Sequence, residues 1–198
     1  MKPLAAFLFF LLLPLTAANA QQAPAGQPPT TDDPNYRRPS TASLPPFNLG
    51  YFEGTWTVDW DVPDSVFGDG GQITGTETFK CDANGLTCES VVKEETPGGP
   101  VTLQARMRYN ASTRTITRDE KDSRGFSVHY VGHVSSDQGL YQIAWTGDPF
   151  RYKGKRIALN SAASLSAPTA FRVRMQISVD GQPATNYGSP WWRLRPNP

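Results

Sequence analysis

From Phe52 onward, apolar side chains return at every second position. Phe52, Trp56, Val58 and Trp60 fall on one side of the chain and Glu53, Thr55, Thr57 and Asp59 on the other. That two-residue period is the mark of a strand with one buried face. It recurs in Val101-Leu103-Ala105-Met107-Tyr109, in Phe126-Val128-Tyr130-Val134, in Tyr141-Ile143-Trp145 and in Phe171-Val173-Met175-Ile177-Val179. No window of comparable length carries a helical period.

Turn-forming residues punctuate these runs: Gly68-Asp69-Gly70-Gly71, Asn84-Gly85, Pro97-Gly98-Gly99-Pro100, Asn110-Ala111-Ser112, Ser123-Arg124-Gly125, Asp137-Gln138-Gly139, Gly147-Asp148-Pro149 and Asp180-Gly181. The spacing predicts an all-β, antiparallel up-and-down fold of nine or ten strands joined mostly by short hairpins. Closing such a sheet into a barrel buries one face of every strand and removes exposed edges, so a barrel is expected rather than a sandwich. Residues 148–168 fit least well, because Arg151, Lys153, Lys155 and Arg156 crowd a strand-like stretch and the segment from Ala162 to Pro168 reads as a loop.

Some polar side chains fall on faces that alternation turns inward. Ile73, Gly75, Glu77, Phe79 and Cys81 share a side, and so do Tyr152, Arg156 and Ala158. A charge inside a barrel costs several kcal/mol unless it is paired, hydrogen-bonded or wet. Glu77 and Arg156 therefore pair with each other, face a watery cavity, or point the other way.

Cys81 and Cys88 flank Asp82-Ala83-Asn84-Gly85-Leu86-Thr87. A two-residue turn at Asn84-Gly85 sets Cys81 opposite Cys88 and predicts a cross-strand disulfide. This count makes them a hydrogen-bonded pair, the wider site for a bridge, which leaves a longer loop or bulge open as the alternative. A redox-active role lacks both the Cys-x-x-Cys spacing and a helix start.

The first residues change the picture of where the chain works. Lys2, the apolar run from Ala5 to Leu13, and Ala18-Asn19-Ala20 have the order of a cleavable signal peptide, assigned to residues 1–20. Residues 21–46 hold seven prolines in 26 positions and read as a disordered linker. Residues 47–198 remain for one barrel domain, expected to be periplasmic or secreted and to have no membrane span. The chain has 19 basic and 18 acidic residues, a balance that gives no general electrostatic grip on nucleic acid or anionic lipid.

Gly54-Thr55-Trp56 on the first strand, Gly132, the strand ending Met107-Arg108-Tyr109-Asn110, and a C-terminus of aromatic and arginine residues together resemble the calycin-like (lipocalin-like) barrels. More specifically, most of residues 47–198 resembles exported proteins of the DUF1579 type, a family with no assigned activity. The resemblance implies that Gly54 and Trp56 form the motif whose Trp plugs one end of the barrel. It further implies that Arg193 or Arg195 packs over that ring, a cation–π contact of about 1 kcal/mol. Haem-binding barrels related to this family make haem an alternative ligand.

Candidate chemistry is sparse. His129 and His133 share one side of a strand, but Val128, Tyr130 and Val134 make the better core face, which sends both histidines outward. With no third His or Cys at a suitable spacing, no metal site and no cofactor are expected. Gly-x-Ser-x-Gly is absent, so serine catalysis has no sequence support. Glu94-Glu95 and Asp119-Glu120 are adjacent pairs whose members point to opposite faces, read here as solvated edges. Gly68-Asp69-Gly70-Gly71 lacks the Lys and Ser/Thr of a phosphate loop. Asn110-Ala111-Ser112 matches a glycosylation acceptor pattern, but the same three residues suit a hairpin turn, which is the preferred reading.

The expected function is binding of a small, mainly apolar ligand in an interior lined by Trp60, Tyr109, Tyr130, Tyr141 and Trp145, with Arg156 anchoring an acidic head group and Glu77 nearby. The alternative is a ligand-free envelope scaffold or interaction module with a filled barrel, for which exposure of Trp191 and Trp192 would be the sign. Catalysis has no constellation of its own.

Overall fold

A computed structural model describes residues 45–137 and 140–196. The signal peptide assigned to 1–20, and the linker assigned to 21–46 apart from Pro45 and Pro46, lie outside the described residues, as do Gln138 and Gly139. Among the described residues a 3-10 turn, η1 (Leu49–Phe52), precedes twelve strands. These are β1 (Gly54–Val62), β2 (Gly71–Cys81), β3 (Thr87–Thr96), β4 (Gly99–Asn110), β5 (Thr115–Asp122), β6 (Ser127–Asp137), β7 (Leu140–Gly147), β8 (Phe150–Tyr152), β9 (Lys155–Ala167), β10 (Ala170–Val179), β11 (Thr185–Gly188) and β12 (Trp191–Leu194). No helix among the described residues is long and apolar enough to cross a membrane.

Every pairing is antiparallel, and the sheet closes because β12 pairs with both β1 and β10 while β10 also pairs with β9. The short strands β7 and β8 share one edge of β9, and β11 and β12 share one edge of β10. Each of these two pairs acts as one interrupted strand, so the circuit has ten positions. Pro149 and Pro190 stand at the interruptions, where the missing N–H of proline breaks the ladder. The all-β barrel anticipated from alternation is the observed fold.

One end is plugged. Asn48 caps η1 by accepting from the Gly50 N–H at 2.9 Å, and the Leu49 N–H donates to Gly85 O at 2.7 Å. The turn thereby carries Leu49 and Phe52 under the barrel wall against Trp56, and both Leu49 and Trp56 are fully buried. Trp56 Nε1 donates to Phe52 O at 2.7 Å, so its polar atom is satisfied within the plug. Gly54 sits at φ 113°, a left-handed position that lets the chain leave η1 and enter β1 at once.

The expected arginine cover over Trp56 is not present. Arg193 pairs with Thr57, a neighbour that points away from the core, and forms an exposed ion pair with Asp59. Arg195 is exposed, and its N–H donates to Thr55 O at 2.8 Å. Phe171 covers Trp56 instead, with ring centroids 4.9 Å apart, and Trp192 stacks on Phe171 at 5.1 Å. The parity of β12 decides this: Trp192 and Leu194 turn inward, so the arginines between and after them turn outward.

Cys81 and Cys88 form a disulfide in direct register. The Asp82 N–H donates to Thr87 O at 3.0 Å, while the Cys81 N–H goes to Glu53 Oε2 at 2.6 Å. The hydrogen-bonded pair is therefore 82/87, the loop is the four residues 83–86, and the bridge occupies the narrow site. The wider site implied by a two-residue turn is replaced by the longer loop that was its alternative.

Residues 148–168 contain β9, a full barrel strand, where a loop was expected over Ala162 to Pro168. Apart from Leu165, residues 161–167 are Ala and Ser and give no hydrophobic period, yet the stretch pairs with β10 and β7 on its two sides. Upstream, a two-residue turn at Lys153 (φ 47°) and Gly154 (φ 79°) sets Tyr152 opposite Lys155. That turn inverts parity, so Ile157 and Leu159 face the core and Arg156 is exposed. The interior position anticipated for Arg156 came from counting straight through the turn. Its N–H instead donates to Asp180 Oδ1 at 2.9 Å on the outer side of the barrel.

Candidate functional site

Above the plug the barrel is not filled. A cavity of about 190 Å³ lies between the cluster around Trp56 and a second apolar cluster that includes Phe126, Tyr130, Ile157, Leu159 and Tyr187. Its wall is mostly aromatic and aliphatic, with one charged arc contributed by β2, β3, β5 and the β5–β6 turn. β5 builds most of that arc, since Ile116, Arg118, Glu120 and Asp122 take its inward positions.

Glu77 is the most enclosed of these charges, with 2% of its surface exposed. Its Oε1 accepts from Ser90 Oγ at 2.8 Å and from Arg118 Nη2 at 3.0 Å, and its Oε2 accepts from Trp192 Nε1 at 3.0 Å. Arg118 also donates through Nε to Glu120 Oε2 at 3.0 Å. Burial opposes the charge on Arg118, but Glu77 and Glu120 outweigh it and hold the guanidinium above its ordinary pKa. Nearer the β1–β2 loop, Arg124 clasps Asp122 through Nε to Oδ1 at 2.9 Å and Nη2 to Oδ2 at 2.6 Å. Such two-point carboxylate contacts fix geometry as well as charge.

Glu94 has no such partner among the described residues. Desolvation, and after it the negative charges of Glu77 and Glu120, push its carboxyl up to about 7. Burial also raises Glu120 and Tyr130, with Glu120 adding to the shift of Tyr130. Gly75 makes room for Glu94, because a Cβ on that glycine would lie 2.9 Å from Glu94 Cγ. Trp60 lines the cavity, and its indole N–H is buried without a partner among the described residues.

The loop between β1 and β2 brings Phe67 over the end of the barrel opposite the plug. Its ring packs on Phe126 at 5.6 Å, Tyr152 at 5.5 Å and Tyr187 at 5.9 Å, with the Arg124 guanidinium 4.8 Å from its centroid. The β-bridge between Ser65 and Gly68 fixes the loop.

Of the residues expected to line a ligand site, Glu77, Trp60, Tyr130 and Trp145 face the cavity. Tyr109 is buried in the plug cluster, its ring 5.0 Å from Phe47, and does not reach the cavity. Tyr141 is half-buried outside it and donates its hydroxyl to Pro45 O. His129 and His133 lie on the outer surface, His129 Nδ1 2.6 Å from Asp119 Oδ1. Gly132 leaves no free space, because the Trp145 ring occupies it.

Arg118, Glu120, Glu94, Asp122, Arg124 and Phe67 escaped the sequence reading. Glu94-Glu95 and Asp119-Glu120 do point to opposite faces, but the inward member of each pair, Glu94 or Glu120, is partly buried and lines the cavity instead of a solvated edge. The available signal was that alternation alone sends one member of each pair inside, and that Arg118 and Glu120 share a side.

The fold and site define a closed antiparallel barrel with an internal apolar cavity and one internally paired, charged arc. No protein-family model and no curated protein matches the sequence. Among solved structures, the crystal structure of Rv2717c from M. tuberculosis is similar with a TM-score of 0.62 at 11% identity, over 75% of this chain and 95% of that one. A de novo designed fluorescence-activating β-barrel aligns with a TM-score of 0.40 at 18% identity, over 74% of this chain and 96% of that one. At 11% identity the first likeness carries the barrel fold and nothing of activity.

Proposed function

We propose that the chain is an exported, calycin-like barrel that binds a small, mainly apolar molecule in its interior. The carrying observation is the internal cavity of about 190 Å³ between the two apolar clusters of the barrel. An apolar cavity of roughly 150 Å³ takes benzene, so a single ring with a short arm matches the available space. The unpartnered Trp60 indole N–H gives a bound polar atom a donor. The Cys81–Cys88 bridge suits an oxidising compartment, in line with the signal-peptide pattern of residues 1–20.

The scaffold alternative has less support. Trp192 is turned inward to Glu77, which leaves Trp191 half-exposed beside Arg172 and Arg193, and one ring does not make an apolar docking patch.

Native mass spectrometry of the mature protein purified from its own envelope tests the reading. A discrete small adduct that is lost on denaturation is expected. A clean unliganded mass, with no uptake from a panel of single-ring and short-chain compounds, would move the assignment to a ligand-free scaffold.

A further inference from the structure

The interior charges do not balance. Among the cavity-lining residues, the carboxyls of Glu77, Glu94, Glu120 and Asp122 face only two guanidiniums, Arg118 and Arg124. Both guanidiniums are already engaged, Arg118 by Glu77 and Glu120 and Arg124 by Asp122. An acid-headed ligand would find no free cation among these residues, and it would add negative charge to an arc that is already negative. Arg156, the residue expected to receive such a head group, is exposed.

Glu94 is the complement of that situation. It projects from β3 into the cavity with no hydrogen bond or ion pair among the described residues, and Gly75 opposite it leaves its side chain room to lie along the wall. An ionised carboxylate in such a place is costly unless it takes up a proton or gains a cation. Aromatic rings, those of Trp60, Phe126, Tyr130 and Trp145, share the cavity with it, and such rings favour a cation over a neutral head group.

We propose that the interior ligand is a small aromatic amine whose ammonium group rests on the Glu94 carboxylate while its ring lies among the cavity aromatics. This rests on the reading that the cavity binds a small apolar molecule, and it supplies the head-group class. Binding the ammonium requires Glu94 to be ionised. The groups facing Glu94 are Glu77, Glu120, Asp122, Arg124 and Tyr187, and its carboxyl titrates near 7 in their field. Ligand uptake at lower pH therefore releases a proton, and affinity falls as pH drops below that value.

The test is calorimetric titration of the full mature chain with benzylamine, benzyl alcohol and benzoate, which share one ring and differ in head-group charge. At about pH 8 benzylamine is expected to bind roughly tenfold or more tighter than benzyl alcohol, with benzoate weakest. Towards about pH 5.5 that preference should shrink, because Glu94 becomes protonated. Glu94→Gln should abolish the preference for the amine, bringing benzylamine and benzyl alcohol within about twofold of each other, and its circular dichroism and cooperative thermal unfolding show separately that the variant is folded. Equal binding of the alcohol and the amine, tighter binding of benzoate, or an unchanged amine affinity in Glu94→Gln would overturn the amine assignment while leaving the cavity as a binding site. Failure of all three compounds to bind the unmodified chain would overturn the cavity reading itself.

Discussion

Arg118 and Glu77 meet at 3.0 Å inside the barrel although β3 and β4 lie between their strands in the sheet. The contact crosses the interior and ties together two strands three places apart in the wall, which hydrogen bonds between neighbouring strands cannot do. Removing one partner of a buried ion pair leaves an uncompensated charge, at a cost of about 3–5 kcal/mol. Arg118→Met is expected to lose stability on that scale, because Glu77 and Glu120 both lose their cation. Adding Glu77→Gln should recover part of the loss, since one stranded charge disappears. Urea unfolding of both single variants and the double variant measures the coupling; additive effects would mean that the pair is not energetically linked.

Glu94 makes stability depend on pH with a definite sign. Its carboxyl is raised from 4.5 to about 7, so between those values the unfolded chain has released a proton that the native protein still holds. Stability therefore falls as pH rises through this window, and the raised Glu120 acts in the same direction. A shift of this size amounts to roughly 3 kcal/mol for an isolated group. Glu94→Gln is expected to raise the midpoint of unfolding near pH 8 and to flatten the profile between about pH 4.5 and 7. A variant whose profile follows that of the unmodified chain would place the titration elsewhere.

What could be read from sequence follows from which strands have one apolar face. β1, β4, β6 and β10 alternate cleanly and were recognisable, and with them the barrel. β5 carries the charged arc and has polar residues on both faces, Arg118, Glu120 and Asp122 inside and Thr117, Asp119 and Lys121 outside, so it has no hydrophobic period. β9 is hidden for a different reason, its run of Ala and Ser, and Arg156 was misplaced because the turn at Lys153-Gly154 inverts parity. Glu77 was legible as an inward charge, but its partner was not. A contact between strands that are not neighbours in the sheet leaves no local pattern to read.

The disulfide closes a short loop next to the plug. Cys81 and Cys88 are seven residues apart in sequence, and their sulfurs lie 3.3 and 3.5 Å from the Leu49 carbonyl oxygen. Loop-closure entropy for a ring of that length gives about 2–3 kcal/mol. Replacing both cysteines by serine is expected to lower stability by this amount and to loosen η1 along with the hairpin. Hydrogen exchange should show faster exchange at the Leu49 amide, which bonds Gly85 O in the same loop. An unchanged Leu49 rate beside reduced global stability would limit the bridge to the hairpin.

Phe67 covers the barrel end opposite the plug through contacts with Phe126, Tyr152, Tyr187 and the Arg124 guanidinium. Beneath it, Trp60 packs edge-on against Tyr187 at 5.4 Å and borders the cavity. Removing the ring opens a path to the cavity while leaving the barrel ladder intact. Phe67→Ala is therefore expected to cost little stability, about 1–2 kcal/mol for a half-buried aromatic, while raising acrylamide quenching of the tryptophan emission. Trp60→Phe in the same background should remove that increase, which assigns it to the residue under the loop. Quenching that stays at the level of the unmodified chain would show that access to the cavity does not run past Phe67.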